Sequence, residues 1–396
     1  MSSRALLTFI SVITSLAWMT LDIYVPSLPD LGAYFGADER TVQLTLSLNC
    51  LGFCLISPCY GLVVDAYGPM LSLRIALWSL ALTSLACAVA PSMPLLIIGR
   101  FFQGGAAAAT LIAQLALIVR LFKGKEFIQA NAILGMIVTF TLALAPILGG
   151  YIGSYLGWRM IFSFLSVASY ITLVGLPSFL PSAPYKRKAF SIRQGTAQYL
   201  LMLTNGPFLV YALITSLFLG MWLAYVGIAS HLFIKVLGVK ETTFGYYQGA
   251  GSLAYALGCL LTHKISNIWE ARDILRFGLW MTFFTCILFL GTCLGAPSSP
   301  ELLTLSYVAL TTAMAFAYTP ATVLLFEIFP QLAGSAAALI TSIRMLTMSV
   351  MVYVAGLFYN SHILPIGIMI CIVGLLALAL PLPILKNQSS GEERRQ

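Results

Sequence analysis

Twelve long apolar stretches follow one another along the chain, at roughly 5–28, 41–64, 71–92, 94–118, 128–154, 158–180, 207–234, 242–264, 273–295, 300–326, 331–357 and 363–385. A helix that crosses a bilayer needs about 20 mostly apolar residues, so these stretches with short connections use up nearly all of the 396 residues. Charged residues make up 9% of the chain and apolar ones 60%. A soluble domain carries about 25% charged residues, so no water-facing surface of that size can be built here. Disorder, collagen-like repeats and a secreted disulfide scaffold fail on the same composition, and no length is left for a soluble catalytic domain. The expected fold class is an all-α integral membrane protein with twelve transmembrane helices in two pseudo-symmetric six-helix halves. Its parts are 1–180, a polar linker at 181–206, and 207–396 with a short tail.

The eight cysteines lie inside apolar stretches without a CxxC pair and read as small packing residues. The first stretch is too long for the apolar core of a signal peptide, and no small-residue cleavage site follows it. The net charge of +8 is an orientation signal. With the N-terminus inside, fifteen of the 21 Lys and Arg fall in segments on the cytoplasmic side. Four, Arg40, Arg159, Lys235 and Lys240, fall on the other side, and Arg100 and Arg344 lie within stretches. The positive-inside rule then puts both termini in the cytoplasm and removes nucleic acid as a partner. The linker carries Lys186-Arg187-Lys188 and, with Phe190 and Ile192, the makings of an interfacial helix. Pro94 and Pro300 open corresponding stretches of the two halves. Gly61-x-x-x-Asp65 is echoed by Gly258-x-x-x-Thr262.

An ionisable side chain inside a span is costly and therefore a functional candidate. Asp22 in the first stretch and Arg100 in the fourth both lie about 9 Å below the outer boundary at 1.5 Å per residue. Equal depth and opposite charge predict an ion pair that protonation of Asp22 breaks. Arg344 sits near the middle of the eleventh stretch with no acid at its depth, since Glu327 is at an inner end. It is expected to face a water-filled cavity, holding an anionic cargo or a backbone carbonyl. His231 titrates in a useful range, but a lone His at a span end is a structural residue first. In the fifth stretch Ala145-Pro146-Ile147-Leu148-Gly149-Gly150 combines a kink-forming proline with glycines that admit a neighbouring backbone.

Several of these motifs carry a resemblance. Gly61-Leu-Val-Val-Asp65-Ala-Tyr-Gly68 resembles the signature between the second and third helices of the major facilitator superfamily. Arg100-Phe-Phe-Gln103-Gly104-Gly105 resembles its fourth-helix signature, and Ala145-Pro146 to Gly150 its fifth-helix antiporter signature. Asp22-Ile-Tyr24-Val-Pro26-Ser-Leu-Pro29 with Val42-Gln43-Leu44-Thr45 is similar to the bicyclomycin/chloramphenicol-resistance group of drug:proton antiporters. In the second half Ala333-Gly334-Ser335-Ala336 is the best match. The resemblance departs at Ala66, Pro69 and Met70, where the family has basic residues, leaving Arg74 nearby.

By this resemblance Asp22 carries the proton and Arg100 couples it to substrate. Asp65, with Gly61 and Gly68, braces an inner gate near Gly334 and Ser335. Pro146, Gly149 and Gly150 form a hinge. Candidates for the cavity wall are Tyr24, Gln43, Asn49, Gln103, Trp222, Tyr225, Tyr246, Gln248, Tyr318 and Arg344. The implied activity is proton-coupled transport of a small organic molecule across the inner (cytoplasmic) membrane, foremost drug efflux, by a monomer whose energy source is the proton gradient and which needs no cofactor or metal. Two arginines against a single acid within the spans keep a carboxylate metabolite or siderophore, taken up or exported, as the alternative cargo. An enzyme is not expected, because no nucleophile–base set, metal-ligand cluster or phosphate loop is visible. A receptor would need a sensory or signalling domain, and none is visible.

Overall fold

The computed structural model describes residues 3–122, 125–179 and 192–381. Among these residues, fourteen α-helices run in the order α1 (Ser3–Asp22), α2 (Leu28–Phe35), α3 (Glu39–Tyr67), α4 (Pro69–Ala88), α5 (Met93–Leu121), α6 (Lys125–Leu156), α7 (Trp158–Phe179), α8 (Ile192–Leu203), α9 (Gly206–His231), α10 (Glu241–Ile265), α11 (Ala271–Gly295), α12 (Pro300–Ile328), α13 (Ala333–Phe358) and α14 (Leu364–Ala379). No strand occurs among the described residues. Each of the twelve apolar stretches holds a helix over its described part, although the first is broken after Asp22 rather than running to residue 28, and α2 and α8 are short additions. Among the described residues, ten helical runs are long and apolar enough to cross a membrane. Of the other two, α14 is apolar but has 16 residues, and α10 has 25 residues but a more polar composition. Helix α8 occupies part of the expected linker, whereas Lys186-Arg187-Lys188, Phe190 and the C-terminal tail lie outside the described residues.

Local chemistry sets the breaks. Pro26 has no N–H and biases Val25 away from helix, so α1 ends at Asp22. The chain then makes a short turn at Val25–Ser27 and restarts as α2 with Pro29 in its first turn. Gly36, at φ 61°, ends α2. Asp38 Oδ1 then accepts from Thr41 N at 3.1 Å and caps α3, and Asn205 caps α9 in the same way. Such caps satisfy amides that the first turn leaves without partners.

In the first half α5 packs against α1, α3 and α4, while α7 packs on α4 and α6; in the second half α12 packs against α9, α10 and α11. Two seams join the sets: α3 lies against α13, and α6 against α10. The end carrying Arg74, Arg120 and Lys264 is called the basic end below.

Of the expected hinge residues, Pro146 and Gly150 lie on the α6–α10 seam, and Gly149 lies against the chain just after α1. Helix α6 runs unbroken through Pro146. A Cβ on Gly149 would overlap the carbonyl of Ile23, and one on Gly150 would lie 2.7 Å from the Glu241 carbonyl. From the other side, a Cβ on Gly245 would come within 2.7 Å of Pro146 O and 2.8 Å of Ile147 Cα. Backbone cannot yield as a side-chain tip can. Gly245→Val is therefore expected to disfavour closure of this seam by about 1–3 kcal/mol, the usual cost of overpacking. Pulsed dipolar distances between spin labels on α6 and α10 should lengthen relative to the wild type. Unchanged distances would mean that the seam absorbs the added methyls.

Candidate functional site

Arg100 is completely buried and organises the first half. Its Nη1 donates to Thr20 O at 2.9 Å and to Gln103 Oε1, and its Nε donates to Thr45 O at 3.3 Å. The Tyr24 ring lies under the guanidinium, 4.1 Å from Cζ to the ring centroid. Tyr24 in turn hydrogen-bonds Thr45 Oγ1 at 2.9 Å. Asn49 Nδ2 donates to Arg100 O at 2.9 Å, and Gln103 Nε2 donates to Ser84 Oγ at 2.8 Å. A Cβ on Gly104 would overlap the Asn49 carbonyl, so only glycine lets α5 approach α3 this closely.

The expected ion pair between Asp22 and Arg100 is not formed. Depth is as expected, because Arg100 reaches the last turn of α1. The partner is different: a helix ending at Asp22 leaves its last carbonyls without amides, and the guanidinium caps that of Thr20. Both carboxyl oxygens of Asp22 are buried without a hydrogen-bond partner, as is Arg100 Nη2. Asp22 is within electrostatic reach of Tyr307 on α12. The Tyr307 hydroxyl is also buried and unpartnered, and its ring stacks on Tyr225 with centroids 3.7 Å apart.

Below this layer a cavity of about 700 Å³ opens at the basic end. Trp18, Phe53, Tyr318 and Arg344 line its inner part, and Asp65, Gly61, Gln198, Gly334 and Ser335 its mouth. Arg344 Nη2 donates to Thr322 Oγ1 at 3.1 Å and Nε to Thr215 Oγ1 at 3.4 Å, with Cζ 4.9 Å from the Tyr318 ring centroid. Neutral hydroxyls and a π face steady the guanidinium without cancelling its charge. The expectation that Arg344 faces a cavity agrees with this position. Asp65 lies at the mouth with Gly334 and Ser335, Ser335 Oγ donates to Gln198 Oε1 at 2.6 Å, and Gly68, at φ 86°, ends α3 but does not line the cavity.

Of the ten residues expected to wall the cavity, Tyr318 and Arg344 do so. Tyr24, Asn49 and Gln103 are spent on the Arg100 network. Gln43 is buried between α3, α9 and α13, against Gly227 and Gly356. Trp222 packs into the apolar core, and Tyr225 is stacked on Tyr307. Gln248 is buried with both amide atoms unpartnered. Tyr246 is exposed and pairs its hydroxyl with Tyr151 at 3.1 Å. Trp18, Phe53, Gln114 and Thr341 were missed. Two of these carry a signal: Trp18 is one helical turn before Asp22, and Thr341 nearly one turn before Arg344, so each shares a face with a charged residue. Gln114, which donates to Thr14 Oγ1 at 2.6 Å, is a buried amide in mid-helix.

At the opposite end the molecule is closed. Ser47 Oγ donates to Ser349 O at 2.9 Å across α3 and α13, and Ser154 Oγ donates to Glu241 Oε2 at 3.2 Å across α6 and α10.

A family model described as the Major Facilitator Superfamily matches residues 9–352. The chain belongs to that superfamily. It is a multi-pass membrane protein that transports small molecules, not an enzyme. An uncharacterized MFS-type transporter, YdgK, of Bacillus subtilis is 26% identical over 89% of both chains. A bicyclomycin resistance protein homolog of Haemophilus influenzae is 24% identical over 85% of this chain and 84% of its own. A chloramphenicol resistance protein of Pseudomonas aeruginosa is also 24% identical, over 70% and 66%. The fold matches that of the E. coli xylose transporter XylE in a partially occluded inward open conformation, with a TM-score of 0.75, 13% identity, and 96% and 97% of the two chains covered.

Proposed function

We propose that this transporter exports a drug-like organic molecule across the cytoplasmic membrane in exchange for protons, by alternating access, as a monomer with no cofactor. The observation that carries the reading is a cavity of about 700 Å³, within the range of drug-sized sites, open at the basic end and closed at the other. The positive-inside rule makes the basic end cytoplasmic, so the cavity is reached from the cytoplasm. Relatives named for resistance to bicyclomycin and chloramphenicol support export as the direction.

In this reading Asp22 holds the proton. A buried carboxylate with neither donor nor counter-ion costs several kcal/mol or more, whereas a neutral acid is tolerated. Arg100 keeps one unpartnered donor, Nη2, for Asp22 once the proton leaves. Asp65 and the Gly334–Ser335 segment close the cytoplasmic mouth as the halves rock.

A second reading, transport of a carboxylate, is favoured by Arg344. A guanidinium free of acid partners on a cavity wall repels cations and offers a planar fork to carboxylates. Purified protein in liposomes with an inside-acid gradient tests the first reading, with vesicle orientation determined. Labelled chloramphenicol, a cationic dye and a tricarboxylate are offered from the cytoplasmic face. Gradient-driven movement of chloramphenicol is the expected result, and movement of the tricarboxylate alone would give the second reading precedence.

A further inference from the structure

At the closed end α3 packs against α13, and α9 touches α3 beside them. Two polar residues of α3, four positions apart and so on one face, enter this seam. Ser47 is partnered there: its Oγ donates to Ser349 O at 2.9 Å and lies 3.1 Å from Ser349 Oγ. Gln43 is not. It is 1% exposed, and neither Nε2 nor Oε1 has a hydrogen-bond partner among the described residues.

Two glycines of the second half make room for this side chain. A Cβ on Gly227 of α9 would overlap Gln43 Oε1, and one on Gly356 of α13 would lie 3.0 Å from Gln43 Cβ and 3.2 Å from Cγ. The amide tip is therefore held against α9 and the stem against α13. Nothing at the tip answers it. Gly227 O already accepts from Ser230 Oγ at 2.9 Å, and the other neighbour of the Gly227 position is the apolar Leu46 Cδ1, at 3.1 Å.

We propose that Gln43 is a wedge in this seam: its amide is stranded only while the two halves are closed here, so it opposes closure and favours reopening. The inference rests on the alternating-access reading in one respect, that this seam parts during the cycle. It is independent of the cargo, of the direction of transport and of the proton site.

The sign follows from solvation. With the halves apart, water hydrates both amide atoms of Gln43 and the hydroxyl of Ser47. Closure strips that water from both side chains. Ser47 gains Ser349 in exchange, whereas Gln43 gains no hydrogen bond, and burying an amide in that way is unfavourable. The two residues therefore push one equilibrium in opposite directions from adjacent turns of α3. An unbranched apolar side chain of the same length would keep the packing against Gly227 and Gly356 and remove the opposition.

The test reads how often the seam opens. Val352 of α13 is completely buried and lies three residues after Ser349 and four before Gly356, on the same face. Val352→Cys is introduced into the full-length protein, which is reconstituted in vesicles of determined orientation. A membrane-impermeant maleimide is added outside those whose closed end faces out, and mass spectrometry follows the label at position 352. When opening and closing outpace labelling, the rate reports the open population however small it is. Gln43→Met should slow labelling about fivefold or more. Gln43→Leu should slow it as well, and provides a second variant should the first fail to fold. Ser47→Ala should speed it about twofold to tenfold. Labelling of the folded Gln43 variants at the wild-type rate or faster would overturn the wedge while leaving alternating access standing. No labelling in the wild type or in Ser47→Ala would mean that the seam does not part, and would overturn both.

Discussion

Asp22→Asn is expected to reduce proton-driven accumulation in vesicles to the level seen without a gradient, while exchange of cargo for cargo persists. The amide keeps the size of the carboxyl group but cannot load or release a proton. The rest of the layer is independent of it, because Arg100 is held by the carbonyls of Thr20 and Thr45 and by Gln103. The variant should therefore fold and bind. Transport by the Asn variant with wild-type pH dependence would remove Asp22 from the coupling role.

Arg344 gives the second large effect, which separates the two cargo readings. Its contacts are two threonine hydroxyls and the Tyr318 ring, so its replacement leaves no buried acid stranded. For a carboxylate cargo, charge-assisted hydrogen bonds to the fork are worth about 1.5–3 kcal/mol each, so Arg344→Gln should weaken binding about tenfold to a hundredfold. Arg344→Lys should fall between, since the charge remains but the planar pair of donors is lost. For a neutral drug the change should be within a few-fold, and for a cationic dye binding should improve. Binding of all three probe classes across the wild type and both variants decides the matter. Unchanged tricarboxylate binding in Arg344→Gln would end the anion reading.

Much of the molecule was legible before any coordinates. The apolar stretches marked every long helix, because a spanning segment must satisfy its own backbone polar groups and can do so only as a helix. The break after Asp22 was not anticipated, since the first stretch was expected to run to residue 28, although Pro26 and Pro29 set it for an equally local reason. The charged residues within spans were legible as well: a charge in an apolar stretch is conspicuous whatever its neighbours, and Arg344 does face a cavity.

The partners of those charges were not legible. Asp22 and Arg100 share a depth, but helix rotation and the unpaired carbonyl ends of α1 turned the guanidinium to backbone, and a sequence carries no measure of either. Cavity walls failed for the same reason. Tyr24, Asn49 and Gln103 are polar residues in spans, as a lining residue should be, yet tertiary packing uses them inside the first half. Trp18 and Phe53 looked like ordinary apolar filling and form the wall. Residue type and spacing along a helix determined which segments cross the membrane and which side chains are costly there. Which pairs meet and which end is closed depend on how two seams dock. Burial free energy is nearly indifferent to helix rotation in a chain so uniformly apolar, so close approach at a few glycines and the partners of a few polar groups made that choice.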